Sequence, residues 1–164
     1  VASFFGMFAG VYNWFPKMYG RYLNNTMAYI HFWVTIIGAY LIFWPMHYEG
    51  LAGMPRRYLD YSAWASFNQF DGLNRVISTV AMIVFAVQLL FVFNFFYSIF
   101  KGRKVTSLNP WSANTLEWTT PLRPGHGNWP GEIPEVHRWA YDYGKGGKEF
   151  VQQTEPISGH EESH

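Results

Sequence analysis

Three apolar stretches separated by polar segments organise the first two thirds of the chain. They cover residues 1–16, 27–46 and 76–100, and the last contains no charged residue. A helix rises about 1.5 Å per residue, so the second and third stretches are long enough to cross a hydrocarbon core of about 30 Å. The first is shorter and ends at Pro16, and we interpret it as the second half of a spanning helix in a chain that is part of a longer sequence. The pattern predicts an all-α membrane protein with three transmembrane helices, the first one truncated, from a larger helix bundle.

The last third of the chain has a different composition. From residue 105 onward lie six of the nine prolines, four of the eight tryptophans and eight of the eleven acidic residues. Proline interrupts long helices, whereas this aromatic content is too high for simple disorder. We therefore divide the chain into a transmembrane bundle segment, 1–104, and an extended, irregular C-terminal tail, 105–164, that lies against a partner surface.

Cationic residues at the ends of the stretches predict the orientation in the membrane. Two spans lie between the first two cationic residues and the last three, so all five are on the same side of the membrane. They are Lys17 and Arg21 before the spans, and Lys101, Arg103 and Lys104 after them. An excess of Lys and Arg marks the cytoplasmic side, so the tail is predicted to be cytoplasmic and the loop between the second and third spans to be outside. Three arginines in that outer loop run against this bias: Arg56, Arg57 and Arg75.

The adjacent pair Arg56-Arg57 is the strongest candidate for a binding site. A guanidinium group makes bidentate, charge-assisted hydrogen bonds to carboxylates and phosphates. Two in succession after Pro55 suit a ligand with two acidic arms. Contacts with lipid headgroups or with Asp60 explain the pair equally well from composition alone.

Polar residues within the spans are few. Gln88 lies near the middle of the third stretch, and its amide requires a partner, so that face is predicted to point into a bundle. His31 is either hydrogen-bonded in the bundle or placed on a proton path, and it lies too far from His47 along a helix to share a metal with it. Aromatic residues of the spans, Phe43 among them, either pack against neighbours and lipid or flank a flat macrocycle.

Several classes of function are not supported. The formal net charge is +1 with no basic face, which argues against a nucleic-acid partner. The chain has no cysteine, hence no disulfide and no thiolate metal site. No complete set of metal ligands, no Ser/His/Asp set and no phosphate-binding glycine loop is present in the sequence.

The order of the motifs resembles the last part of haem-copper oxidase subunit I, the catalytic subunit of cytochrome c oxidases. The matching segments are Asn-Trp-Phe-Pro at 13–16, Ile-His-Phe at 30–32, Gly-Met-Pro-Arg-Arg-Tyr at 53–58 and Asn-Thr-Leu-Glu-Trp at 114–118. The resemblance extends over about residues 1–120, and the tail segment 127–135 looks like bacterial members of the family.

The resemblance assigns roles to three residues. In that family two adjacent arginines of an outer loop bind haem propionates, and Arg56 and Arg57 are at those positions. Phe43 is at the position where the family packs an aromatic side chain against the low-spin haem. The ligands of the two haem irons and of copper lie upstream of these segments, so the resemblance implies no metal ligand and no catalytic residue in this chain.

The resemblance also implies an activity and partners. It implies part of a proton-pumping terminal oxidase that reduces oxygen to water with electrons from cytochrome c, or from quinol in another branch of the family. The partners would be the upstream part of subunit I, subunits II and III, cytochrome c and membrane lipid. The location would be the bacterial inner membrane, with the Arg56-Arg57 loop on the outer side.

Two other classes remain open. A transporter or channel fragment would line a path with His31 and Gln88. A structural membrane subunit would only scaffold other chains and would need no cofactor at the arginine pair.

Overall fold

The computed structural model describes residues 2–55, 57, 60, 64–142 and 150–157. These residues form three α-helices: α1 (Ala2–Tyr19), α2 (Asn25–Leu51) and α3 (Asp71–Lys101). Two short 3-10 helices, Ala65–Phe70 and Leu116–Thr119, complete the regular structure of this part of the chain. No β-strand occurs among these residues, and an isolated antiparallel bridge joins Arg21 to Lys104. The predicted all-α fold is confirmed.

Two of the helical segments are long and apolar enough to cross a membrane. They are Asn25–Leu51, with 27 residues, and Ala65–Lys101, with 37 residues, which includes the 3-10 helix before α3. The predicted spans 27–46 and 76–100 lie inside them. The 18-residue helix α1 is not one of these two candidates, so its assignment as a truncated span stays a prediction.

Contrary to the expectation that the first stretch ends at Pro16, both helices extend beyond a proline. Pro16 and Pro45 lie inside α1 and α2, which continue for three and six residues beyond them. Proline has a φ angle compatible with a helix and removes a single backbone donor, so both helices pass through it. Asn24 caps α2: its side chain accepts a hydrogen bond from the Met27 amide at 3.1 Å.

The chain divides into two compact units, and residues 24–100 form the first. Within it α2 and α3 run antiparallel, since Asn24 bonds with Asn94 while His31, about a quarter of the way along α2, bonds with the earlier residue Gln88 of α3. The helices are in close contact at Gly38, where an added Cβ would collide with the Val84 side chain. A small residue at this position therefore allows the helices to pack in direct contact.

The second unit combines Ala2–Leu23 with the described residues that follow Phe100. Its centre is formed by Phe15 and Trp118, which are almost fully buried. The Lys17 ammonium donates a hydrogen bond to the Thr120 carbonyl, and the Trp111 indole donates to the Asn13 carbonyl at 2.9 Å. The tail therefore packs against α1 of its own unit, whereas its contact with a partner surface stays a prediction.

Candidate functional site

The loop that carries the arginine pair begins with a defined turn at the end of α2. The Met54 amide bonds to the Glu49 carbonyl at 3.0 Å, and the Gly53 amide bonds to the Gly50 carbonyl at 3.1 Å. These are the two hydrogen bonds of a Schellman motif, which requires a left-handed residue after the helix cap. Gly53 fills that position with φ of 87°. Met54, which follows this glycine, is buried.

Beside this turn lies a cavity of about 600 Å³. Its walls are mostly apolar and include Phe43, Met46, Leu51 and Met54. Arg57 lines the same cavity, so the structure brings together two of the three predicted site residues, Phe43 and Arg57. The third, Arg56, lies outside the described residues.

A second cavity of about 290 Å³ continues along the same face of α2. It shares Phe43 and His47 with the first cavity and extends to Ile36. The His47 imidazole is held against its own helix, because its Nδ1–H donates to the Phe43 carbonyl at 2.6 Å. The two cavities together form a long apolar surface on α2, with a cation at one end.

The arginine at that end has an unusual backbone conformation. Arg57 is exposed and adopts φ of 59°, in the left-handed region that non-glycine residues seldom occupy. Such strain persists where the surrounding structure requires it, and it is concentrated at binding sites. Among the described residues, no acidic side chain forms an ion pair with Arg57.

The cavity also contains an acid that sequence reasoning passed over. Glu49 lines the cavity with 5% of its surface exposed, and its Oε1 has no hydrogen-bond partner among the described residues. Gly53 lies two residues beyond the end of α2 and is the residue type that a Schellman turn favours. This glycine was the sequence signal from which the turn next to Glu49 could have been predicted.

The polar residues of the spans pair with each other. The His31 Nε2–H donates to the Gln88 Oε1 at 3.0 Å, and the Gln88 amide donates to the Thr35 hydroxyl at 3.1 Å. The predicted partner for Gln88 is thereby confirmed, as is the hydrogen-bonded state of His31. The pair joins α2 to α3, which is the role that interhelical polar contacts have in lipid.

The described residues do not bring three metal-ligating side chains together anywhere. The cavity offers apolar walls, an aromatic ring and a guanidinium at the rim. This donor set fits a flat, apolar ligand with acidic arms, such as haem, whose carboxylates would meet the guanidinium.

The fold places the chain in the class of helical proteins with helices long enough to cross a membrane, one of which ends beside a mostly apolar cavity with a guanidinium at its rim. The family model described as "Cytochrome C and Quinol oxidase polypeptide I" matches residues 1–84, just over half of the 164 residues. The chain belongs to this family, which is that of haem-copper oxidase subunit I. Members of the family are integral membrane subunits of multi-subunit oxidases.

Bacterial relatives agree with this assignment. The chain is similar to an alternative cytochrome c oxidase subunit 1 of Bradyrhizobium diazoefficiens, with 46% identity over 160 residues, 95% of this chain and 27% of the relative. It is similar to cytochrome c oxidase subunit 1 of Thermostichus vulcanus, with 43% identity over 143 residues, 87% of this chain and 24% of the relative. The same subunit of Cereibacter sphaeroides is 38% identical over 142 residues, 85% of this chain and 24% of the relative. The chain thus spans about a quarter of the length of these curated relatives.

Proposed function

We propose that this chain forms one wall of a haem pocket in the catalytic subunit of a proton-pumping terminal oxidase. In this proposal Arg56 and Arg57 bind the haem propionates, and Phe43 packs against the low-spin haem. The oxidase reduces oxygen to water, and cytochrome c supplies the electrons. Two haems are shared with the upstream part of the subunit, and copper is bound there.

The observation that supports the proposal most strongly is the shared cavity of Phe43 and Arg57. These residues are 14 positions apart in sequence, and the Schellman turn returns the chain so that both line one mostly apolar space. An aromatic wall with a cation at its rim matches a ligand that is apolar in its body and acidic at its edge.

Each residue would have a simple physical task. The Arg57 guanidinium holds a carboxylate in place through charge-assisted hydrogen bonds, and its positive charge stabilises electron density nearby. The Phe43 ring excludes water from the face of the ligand. Bound haem would supply the electron-transfer chemistry, which no side chain among the described residues provides.

Replacing Arg57 in the assembled oxidase tests the proposal. Arg57→Ala removes a positive charge next to the ligand, so the haem midpoint potential should fall, on the order of tens of millivolts. Turnover should fall as well, whereas Arg57→Lys, which retains the charge but not the bidentate geometry, should have a smaller effect on the potential. Potentiometric titration of the haem absorbance measures both variants.

Arg75→Ala is the matched control. This exposed arginine precedes the third span but is already paired with Asp71 at 2.8 Å and does not line the cavity. Its removal should leave the haem potential unchanged. An Arg57→Ala enzyme with the parental potential and spectrum would contradict the proposal and favour a purely structural membrane subunit.

A quinol-oxidising enzyme is the second candidate, because the family model includes quinol oxidases by its description. The relatives are named cytochrome c oxidases, which favours cytochrome c as the donor. Steady-state oxidation of reduced cytochrome c and of a quinol by the same purified oxidase distinguishes the two. A channel or transporter is disfavoured, since His31 and Gln88 bond to each other between the helices.

A further inference from the structure

Glu49 is an acidic residue whose position the proposed contacts do not explain. It lies in the last turn of α2, is 5% exposed and lines the same cavity as Arg57. Its backbone carbonyl completes the Schellman turn by accepting the Met54 amide, so the turn uses none of the side chain. An apolar side chain would serve the turn equally well. The turn therefore does not require the carboxyl group, and any role of this group is at the cavity.

The surroundings of the carboxyl leave one oxygen without a hydrogen bond. Glu49 Oε1 is buried and has no partner among the described residues. A buried acceptor left unsatisfied costs about 1–3 kcal/mol, and an unpaired buried charge costs more. This cost is avoided when a ligand brings a partner to the cavity.

Arg56 of the adjoining loop lies outside the described residues; among those described, few charged or titratable groups lie around this cavity. His47 and Arg57 line it, and Asp60 is exposed in the same loop. Because α2 and α3 are antiparallel, the first turn of α3 is at the same end of the unit; its Asp71 is ion-paired with Arg75 at 2.8 Å. None of the ion pairs formed by described residues includes Glu49.

When a carboxyl group and a carboxylate ligand share one pocket, the protonation of each group depends on the other. Two like charges in a mostly apolar space disfavour each other, so one of the two groups holds a proton. The protonated carboxyl then donates a short hydrogen bond to the ionised one. The bound proton belongs to the pair rather than to either group alone.

We propose that Glu49 holds a proton and donates it in a hydrogen bond to an acidic arm of the bound haem, an inference that rests on the proposed function. Arg57 neutralises the ionised member of this pair. Addition of an electron to the haem strengthens proton binding at the pair, and by linkage the haem midpoint potential falls as the pH rises. Glu49 is thus a positioning residue for the cofactor and couples its potential to pH.

The test uses the complete oxidase with Glu49→Gln. Glutamine has the same shape and still donates a hydrogen bond, but it does not titrate. The pH dependence of the haem midpoint potential should shrink by at least half, with normal haem content. Glu132→Gln is the matched control, because this acid is exposed in the tail and its loss should leave the dependence unchanged.

Infrared redox difference spectra of the parental enzyme provide a second readout that does not depend on assembly of a variant. They should show a protonated-carboxyl band that shifts in heavy water and is absent in Glu49→Gln. Absence of this band from the parental enzyme would overturn the inference. So would a Glu49→Gln enzyme with the parental band and parental pH dependence.

The Arg57 variants separate failure of this inference from failure of the proposed function. If Arg57→Ala shifts the haem potential and Glu49→Gln changes neither readout, the haem pocket stands and the role of Glu49 is wrong. If neither substitution affects the haem, both the pocket and the role of Glu49 are wrong.

Discussion

At the scale of single residues, the cavity depends on backbone conformations as much as on side chains. Gly53 turns the chain after α2, and Arg57 occupies the left-handed region with φ of 59°. The first conformation favours a glycine, whereas the second is uncommon for a residue with a side chain.

The helix contact at Gly38 leads to a prediction about stability. Gly38→Ala places a methyl group on the Val84 side chain, and overpacking of this kind costs about 1–3 kcal/mol. The thermal unfolding midpoint of the detergent-solubilised protein should fall. Val84→Ala in the same chain should restore part of the loss, because it removes the colliding methyl groups.

Gly72→Ala is the control for this substitution. Gly72 is also helical, and no atom lies within 4 Å of the Cβ that alanine would add. The substitution should be neutral or slightly stabilising, as alanine is the better helix former. Equal destabilisation by both changes would show that the two helices do not meet at Gly38.

At the scale of elements, buried polar side chains fix one end of the α2–α3 pair. Asn94 is completely buried and accepts hydrogen bonds from the Asn24 amide at 3.0 Å and from the Ser98 hydroxyl at 2.9 Å. Its own amide donates to the Asn24 carbonyl at 3.0 Å. One residue of α3 thereby satisfies the backbone of the residue that caps α2, which sets the register of the two helices.

Removing this side chain should destabilise the pair. Asn94→Leu has a similar size but leaves the Asn24 amide without its partner, at a cost of about 1–3 kcal/mol, whereas the Asn24 carbonyl keeps the Ala28 amide at 3.1 Å. The unfolding midpoint should fall clearly more than in Asn68→Leu, which changes an exposed asparagine in the 3-10 helix. If the two variants unfold alike, the interhelical hydrogen bonds do not hold the register.

At the scale of the whole chain, the molecule consists of a helix pair and a second unit in which α1 and the tail fold together. Lys17 is central to the second unit: it is buried, donates to the Thr120 carbonyl and lies 5.6 Å from the centre of the Trp118 ring. The Arg123 amide in turn bonds to the Lys17 carbonyl at 2.8 Å. The described part of the tail around Trp118 and Arg123 is therefore packed within this unit.

This arrangement predicts a pH dependence. Burial lowers the pKa of the Lys17 ammonium below its ordinary 10.5, and the residue lies outside the two candidate spans. The folded unit releases this proton at a lower pH than the unfolded chain does, so stability rises as the pH increases from the folded value towards 10.5. Hydrogen-exchange protection factors of the Arg123 amide should rise across this window.

Lys17→Met is the matched variant for this prediction. It retains the length and the apolar stem but has no titrating group, so the pH dependence in that window should disappear. A parental unit whose protection falls with rising pH would contradict the sign of the effect.

Features that depend on residues close in sequence could be predicted, whereas those that depend on contacts between distant residues could not. The spans were predictable from local hydropathy. A partner for Gln88 was predictable because an amide without a hydrogen bond is costly in lipid. The cap at Asn24 also follows a local preference, since asparagine is a favoured cap residue and accepts from the Met27 amide three positions later. The folding of the tail onto α1 rests on contacts about 100 residues apart, such as Lys17 with Thr120, and hydropathy carries no signal for these.

The candidate site was predictable only in part for the same reason. A motif resemblance pointed to Phe43 and Arg57, and the structure places both on one cavity. Glu49 was not predicted as a site residue, because a lone acid at a helix end is usually a solvated side chain. Its burial follows from the Schellman turn that folds Met54 over the helix end.

The most direct test of the central claim is a density map of the assembled oxidase at the end of α2. We predict a porphyrin edge in the cavity beside Phe43, with a carboxylate oxygen about 2.7–2.9 Å from the Arg57 guanidinium. A map in which only solvent or phospholipid meets Arg57, with no porphyrin near Phe43, would contradict the account.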